Sequence, residues 1–433
     1  MSYFHSVTLD KEKCHGCTNC IKNCPTEAIR VRGGKAKIIK ERCIDCGECI
    51  RICPYHAKLA VTDTLEELKN YKYNIAMPAP SFYGQFKNLD DRNKVLTAFL
   101  EVGFDDVFEV SIGAEYATAQ TRRLLTQKNL TRPVISSACP AVVRLIRERF
   151  PDLLGNVSNV LSPMEISAFI ARDKAMKKTG FSEDEIGVFF ITPCPAKVTS
   201  IKNPLTLEKS YVSGAFSVSE MYLKIRSHVK NLKEIKSFPN STSHGILWGR
   251  GGGESMGTKT PKYITVDGIK NVIGILEAIE DEKLGDIDFA ELCACPGGCV
   301  GGALNVANPF IASTRIKNMK IDDENELELE NYPDSKFVRE KMINPQGVMQ
   351  LDKDFAKAME MMEDIDKIYS QMPKLDCGSC GAPSCKALAE DIVRGFGNEN
   401  DCIFKMREKV KELAKELFDL EAQPYGNNSE DEL

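Results

Sequence analysis

Cys14, Cys17, Cys20 and Cys24 are spaced by two, two and three residues and are followed by Pro25. Cys43, Cys46, Cys49 and Cys53 repeat that spacing and are followed by Pro54. No other feature of the chain restricts its fold as tightly. A run of this kind wraps three thiolates around one iron–sulfur cubane and sends the fourth to a neighbouring cluster. The spacing therefore predicts one [4Fe-4S] cluster on Cys14, Cys17, Cys20 and Cys53, and a second on Cys43, Cys46, Cys49 and Cys24. Two structural zinc sites are the alternative, although zinc ribbons use two separated C-x2-C pairs instead of a tight run of four.

The chain has 17 cysteines against five histidines and one tryptophan. An odd cysteine count without an apolar signal core at the N-terminus argues against a disulfide framework and suggests a cytoplasmic protein. Scarce histidine weakens mixed Cys/His zinc sites. The 433 residues suggest about three domains. A formal charge of −5 gives no basic excess for nucleic acid or anionic lipid. No run reaches the ~18 apolar residues of a membrane span.

Residues 1–62 form the cysteine-repeat segment, and 63–72 read as a helix with Leu65 and Leu68 on its apolar side. From 73 to 345 short apolar runs (73–77, 107–110, 133–136, 187–192) alternate with helical patterns (91–103, 114–128, 140–150, 162–178). This alternation predicts an α/β domain with mostly parallel sheets, placed at 63–345. Residues 321–332 read as a solvated acidic insertion. A third domain covers 346–423, with a Met-rich helix at 352–372 whose methionines suggest packing. Its final helix, 405–422, aligns Val410, Leu413, Leu417 and Leu420 on one stripe. Residues 424–433 read as a disordered tail.

Cys377, Cys380, Cys385 and Cys402 form a second local group. Cys385 opens a helix, whose dipole favours a thiolate there. Gly378 and Gly381 let backbone N–H groups approach sulfur. Spacing alone leaves a four-cysteine zinc site open. Cys139, Cys194, Cys293, Cys295 and Cys299 come from three distant segments, each beside Pro or Gly just after an apolar run. Ends of parallel strands are where α/β proteins build sites, so four of these thiols could hold a cubane. Scattered core cysteines are the alternative.

Three resemblances follow from these motifs. Residues 1–62 resemble bacterial two-cluster ferredoxins, and the Cys377–Cys402 segment resembles a small cluster domain appended to some hydrogenases and corrinoid proteins, which implies a [4Fe-4S] cluster there. Residues 73 to about 345 resemble the [FeFe]-hydrogenase catalytic domain. Its T-S-C-C-P motif corresponds to Ser136-Ser137-Ala138-Cys139-Pro140. P-C-x-x-K corresponds to Pro193-Cys194-Pro195-Ala196-Lys197, and M-A-C-P-G-G-C to Cys293-Ala294-Cys295-Pro296-Gly297-Gly298-Cys299. The resemblance implies an H-cluster: a cubane on Cys139, Cys194, Cys295 and Cys299, with Cys299 bridging to a diiron subsite carrying CO, cyanide and azadithiolate. It also implies that Lys197 bonds a cyanide, and that Ser137, Pro193 and Pro296 lie against the cofactor. With three further clusters, sixteen of the 17 cysteines are used, leaving Cys293.

The proton route departs from the family. Ala138 replaces the cysteine that donates the last proton, Ser111 and Ser200 replace relay carboxylates, and Thr192 and Cys293 replace methionines flanking the diiron site. Glu115 and Ser158 still match relay positions. Cys293, supplied by Glu291 or Glu254, is a substitute relay. Read singly, Cys293 suggests an inert thiol and Glu254 a solvated carboxylate in the glycine-rich stretch 248–256. The expected function is reversible H2 oxidation and proton reduction, slow and suited to sensing, with electrons passed to a ferredoxin or a signalling protein. An electron-transfer or cluster-assembly-like protein lacking the diiron subsite is the alternative. No nucleic-acid or membrane partner is expected.

Overall fold

The computed structural model describes residues 4–239, 241–319 and 329–421. Most of the acidic insertion and the tail at 424–433 fall outside these residues. The chain forms two compact units, one of Met1–Lys13 with Lys40–Met349, the other of Cys14–Ile39 with Gln350–Leu433. This division differs from the linear segments read from sequence: the first four cysteines belong to one unit and the next four to the other.

The strands in chain order are β1 (Val7–Leu9), β2 (Ile29–Arg32), β3 (Lys35–Ile38), β4 (Lys58–Ala60), β5 (Tyr73–Pro78), β6 (Asp106–Val107), β7 (Val134–Ile135), β8 (Ile186–Thr192), β9 (Gly214–Ser217), β10 (Tyr263–Asp267) and β11 (Phe289–Cys293). In the larger unit β1 pairs antiparallel with β4. Four strands form a parallel sheet in the order β6-β5-β8-β9, and three form another in the order β10-β11-β7. Every residue of β8 is buried, as a strand covered on both faces requires. Phe189 on β8 stacks on Phe216 of β9 at 5.2 Å, within an aromatic core that also holds Phe82, Phe99 and Phe104. The second sheet rests on Val142, Leu145 and Ile146 of helix Pro140–Arg149 and on Val272 and Leu276 of helix Ile269–Glu280.

Two sequence expectations change. The apolar run at 107–110 is strand only through Val107, and helix Val110–Leu125 begins at its end. Glu109 ends the strand because its buried carboxylate accepts from the Tyr83 hydroxyl at 2.6 Å and the Ser241 N–H at 3.0 Å. Residues 63–72 form only a 3-10 turn, Leu65–Asn70, before the chain extends into β5.

In the smaller unit β2 and β3 form a hairpin whose two-residue turn, Gly33-Gly34, has φ of +59° and +71°. Such a turn matches strand twist, and glycine adopts it without strain. Arg30 donates twice to buried Asp391, at 2.7 and 3.0 Å, and Arg32 donates to it at 2.9 Å. These charge-assisted bonds tie the hairpin to helix Cys385–Val393. The Met-rich segment is helical over Phe355–Ser370; Met359 and Met362 are about half exposed, whereas Ile365 and, just past the helix, Met372 are buried, so the methionines pack only in part. No helix among the described residues is long and apolar enough to cross a membrane.

Candidate metal centre

Each central cysteine segment leaves the carboxyl end of a parallel strand. Cys139 follows β7 and precedes helix Pro140–Arg149; Cys194 follows β8 and precedes helix Pro195–Lys202. Proline suits the first helical position because it needs no N–H partner there. Each cysteine thereby stands at a helix N-terminus, where the dipole stabilises negative charge. Cys295 follows β11, and Cys299 lies in the turn Gly298–Gly301. That turn is crowded: a Cβ on Gly301 would lie 1.9 Å from the Pro296 carbonyl oxygen.

The four thiols line one cavity of about 860 Å3, its open mouth included, with Cys293, Lys197, Glu254, Glu291 and Pro193. Most other walls are apolar, among them Ala79, Val110, Met164 and Phe190. Burial pushes the Cys194 thiol far above its ordinary range, and the neighbouring Cys295 adds to this. Burial also pushes Cys299 up to about 12, although Lys197 pulls it down. Four soft donors converging on an apolar cavity suit a metal cluster, whose positive charge replaces the protons that burial holds on Cys194, Cys295 and Cys299. The donor set fits a [4Fe-4S] cubane.

Lys197 is buried and donates to the Ala138 carbonyl at 3.1 Å. A cation held in an apolar cavity suits an anionic ligand. The Ser136 hydroxyl, on the same cavity, donates to Glu254 at 2.6 Å and accepts from the Ala138 N–H at 3.2 Å. Glu254 is 7% exposed, which corrects its reading as a solvated carboxylate. Burial, then repulsion from Glu291, raises its pKa to about 8. Glu291 accepts from the Gly252 and Ser255 N–H groups at 2.9 and 2.8 Å, and burial raises its pKa as well. Cys293 is pushed well above the ordinary thiol range by burial and by Glu291.

Other sequence candidates face elsewhere. The Ser137 hydroxyl donates to the Val160 carbonyl at 2.5 Å, so its neighbour Ser136 is the serine facing the cavity. The Ser158 hydroxyl accepts from the Val160 N–H, and neither Ser158 nor Pro296 lines the cavity. Glu115 accepts from the Thr242 N–H at 2.6 Å beside a separate recess that includes Thr118, Arg122 and His244; burial raises its pKa. Ser111 accepts from Ser241 at 2.7 Å. Thr192 spends its hydroxyl on the Cys194 carbonyl at 2.9 Å, closing the turn below that ligand.

Sequence reasoning missed Arg51. Its guanidinium donates to the Gly301 carbonyl at 3.1 Å, pairs with Glu48 and bonds the Cys295 thiol. Burial opposes its charge, but Cys295 and Glu48 more than offset this and raise its pKa. An arginine between two ligands of a ferredoxin-like run carries no signal in the sequence. Nearby Gly47, at φ +76°, lies so close to the cradle that a Cβ would stand 2.8 Å from the Ala303 Cβ and 3.3 Å from the Pro195 ring.

In the smaller unit Cys380, Cys385 and Cys402 share a small apolar core with Met372 and Leu388, while Cys377 is exposed. Asp376 accepts from the Cys385 N–H at 2.6 Å, and Arg32 donates to the Cys380 carbonyl at 2.7 Å. Hydrogen bonds from Ser379 hold the Cys377 thiol below its ordinary pKa.

Thiols at strand ends, enclosed with a buried lysine, are the donor set of an iron–sulfur protein. Residues 72–254 and 211–303 match the iron only hydrogenase large subunit, C-terminal domain; these stretches together span more than half of the chain, which belongs to that family. Residues 6–54 match a 4Fe-4S dicluster domain, and 372–404 match an Fe-S cluster family. The chain is 26% identical to the periplasmic [Fe] hydrogenase large subunit of Nitratidesulfovibrio vulgaris, over 69% of this chain and 86% of the other. It is 22% identical to oxy-4 of Caenorhabditis elegans, described as a probable cytosolic Fe-S cluster assembly factor, over 59% of this chain and 68% of the other. Apo [FeFe]-hydrogenase HydA1 from Chlamydomonas reinhardtii is similar in structure, with 14% identity and a TM-score of 0.49, covering 64% of this chain and 95% of that one.

Proposed function

We propose that this chain holds an H-cluster and interconverts H2 with two protons and two electrons. The observation that supports this most is the joint placement of four thiols and buried Lys197 on one apolar cavity. When bound, the H-cluster supplies the redox centre at which H2 is split and formed. Cys139, Cys194, Cys295 and Cys299 hold its cubane, and the two helix N-termini behind Cys139 and Cys194 offset the thiolate charge. Lys197 anchors an anionic ligand of the diiron subsite. The apolar walls exclude water, which strengthens every charge interaction inside. Clusters on the N-terminal repeat and on Cys377, Cys380, Cys385 and Cys402 carry electrons to a redox or signalling partner.

Protons need another route, because Ala138 has no titratable group. Glu254 is the better substitute donor. Its carboxyl bonds Ser136, and both line the cavity that Ala138 also lines; a pKa near 8 keeps it protonated at neutral pH while still able to give the proton up. Glu291 resupplies Glu254, and Cys293 lines the path as a thiol that releases its proton less readily. Loss of the usual donor makes turnover slow, which suits sensing better than bulk hydrogen metabolism. Likeness to oxy-4 supports a second reading, an assembly-factor-like protein without the diiron subsite. Infrared spectroscopy after maturation with the diiron cofactor separates the two. CO and cyanide bands with H2 turnover are expected, and a protein that keeps its cubanes but shows no such bands overturns the hydrogenase reading.

A further inference from the structure

The C-terminal helix Ile403–Glu421 has no buried residue, although its sequence carries a strict apolar seam. Ile403, Met406, Val410, Leu413, Leu417 and Leu420 alternate at spacings of three and four, the a and d positions of a heptad. From Met406 onward these side chains are 47% to 64% exposed. A narrow seam with a 3.5-residue period suits a partner helix rather than a globular core, which takes a wider stripe. The charges identify that partner. The first half of the helix carries Lys405, Arg407, Lys409 and Lys411 against Glu408, and the second half carries Glu412, Glu416, Asp419 and Glu421 against Lys415. Two copies side by side in the same direction would set like charges against like, with Glu416 facing Glu421 at the flanking positions. Reversing one copy sets each basic half against an acidic half.

We propose that this helix is the dimerisation surface of the protein, pairing antiparallel with the same helix of a second copy. In one register every apolar layer is filled. Ile403 meets Leu420 of the second copy, Met406 meets Leu417, and Val410 meets Leu413, with three further layers generated by the two-fold axis. The same register brings Lys409 beside Glu416 of the second copy twice. A contact of this kind is isologous and closes at two chains, so it does not propagate into fibres.

Sedimentation velocity of the full-length, cluster-loaded protein tests this. The expected species at tens of micromolar has twice the 48.2 kDa chain mass. Leu413→Glu with Leu417→Glu should weaken association at least about 100-fold by burying charge in the seam, with unchanged iron content and helicity. Lys409→Glu alone and Glu416→Lys alone should each weaken it about tenfold, and the two together should restore it. A monomeric parent at those concentrations overturns the proposal. So does a dimer indifferent to the paired leucine substitutions, and failed charge rescue overturns the antiparallel pairing.

Discussion

The chain offers cysteine ligands in two settings. In the central cradle four thiols arrive from three segments, enclosed at strand ends, and burial drives the Cys194 and Cys299 thiols upward. In the C-terminal group all four come from one short stretch; Cys377 is exposed, and hydrogen bonds from Ser379 pull its thiol downward. The same residue type is thus poised for opposite behaviour. The central thiols gain from metal, which relieves the cost of a dry cavity, whereas Cys377 meets solvent with its thiol acidified by Ser379, a setting that favours metal exchange or oxidation.

Removing one ligand from each site exposes this contrast most strongly. Cys295→Ala should cost the central cubane, lowering iron from about 16 to about 12 per chain and abolishing H2 turnover. Cys377→Ala should leave the infrared bands of the matured central site in place. If both variants lost those bands, the two sites would not be independent.

Next in size is the proton donor. Glu254→Gln should lower H2 production by roughly 10²- to 10⁴-fold while keeping iron content and infrared bands. In the parent, H2 production should fall as pH rises through about 8, where Glu254 loses its proton. The stability sign agrees. An ordinary glutamate titrates near 4.5, so between that value and about 8 the folded state keeps a proton on Glu254 that the unfolded chain has lost, as it does on Glu148, which burial also raises to about 8. Stability therefore declines as pH rises across the window, and Glu254→Gln should lessen that decline in denaturant titrations, leaving the share due to Glu148. A Cys293→Ala variant with the larger loss would move the donor role back to the thiol.

A smaller effect sharpens the electronic side. Arg51→Met removes a charge-assisted hydrogen bond to Cys295 and should lower the midpoint potential of the central cubane by roughly 50–100 mV, read by redox titration with EPR before diiron insertion. The C-terminal cluster should keep its potential. Smallest is the response to mild chelation: the first iron released should come from the C-terminal group, beginning at Cys377, with the central signal unchanged.

What the sequence made legible follows from how the information is stored. The parallel α/β architecture and the strand-end setting of Cys139, Cys194 and Cys295 could be read because apolar runs and Cys-Pro steps are local. The final helix, with its apolar stripe, was legible for the same reason. Glu254 and Ser136 are 118 positions apart, so their hydrogen bond exists only once two segments meet. The same holds for Arg51 and Gly301. Ser137 shows the converse: its motif position suggests a cofactor contact, while the direction of its hydroxyl, toward the Val160 carbonyl, is set by a segment 23 positions away.

Gly47 has a consequence for how such a protein can be rebuilt. Its bare Cα rests so near Ala303 and Pro195 that a methyl group would collide, and its positive φ already disfavours any other residue. At this point the second cysteine run and the central cradle therefore meet too tightly for an inserted side chain. Under the proposed function, electrons passing between clusters on these two segments would cross fixed van der Waals contact within one compact unit, with no docking event to wait for. A donor segment grafted from another protein would need more than matching cysteines. It would need a residue without a side chain at this point, or the spacing of the conducting path would open and transfer would slow.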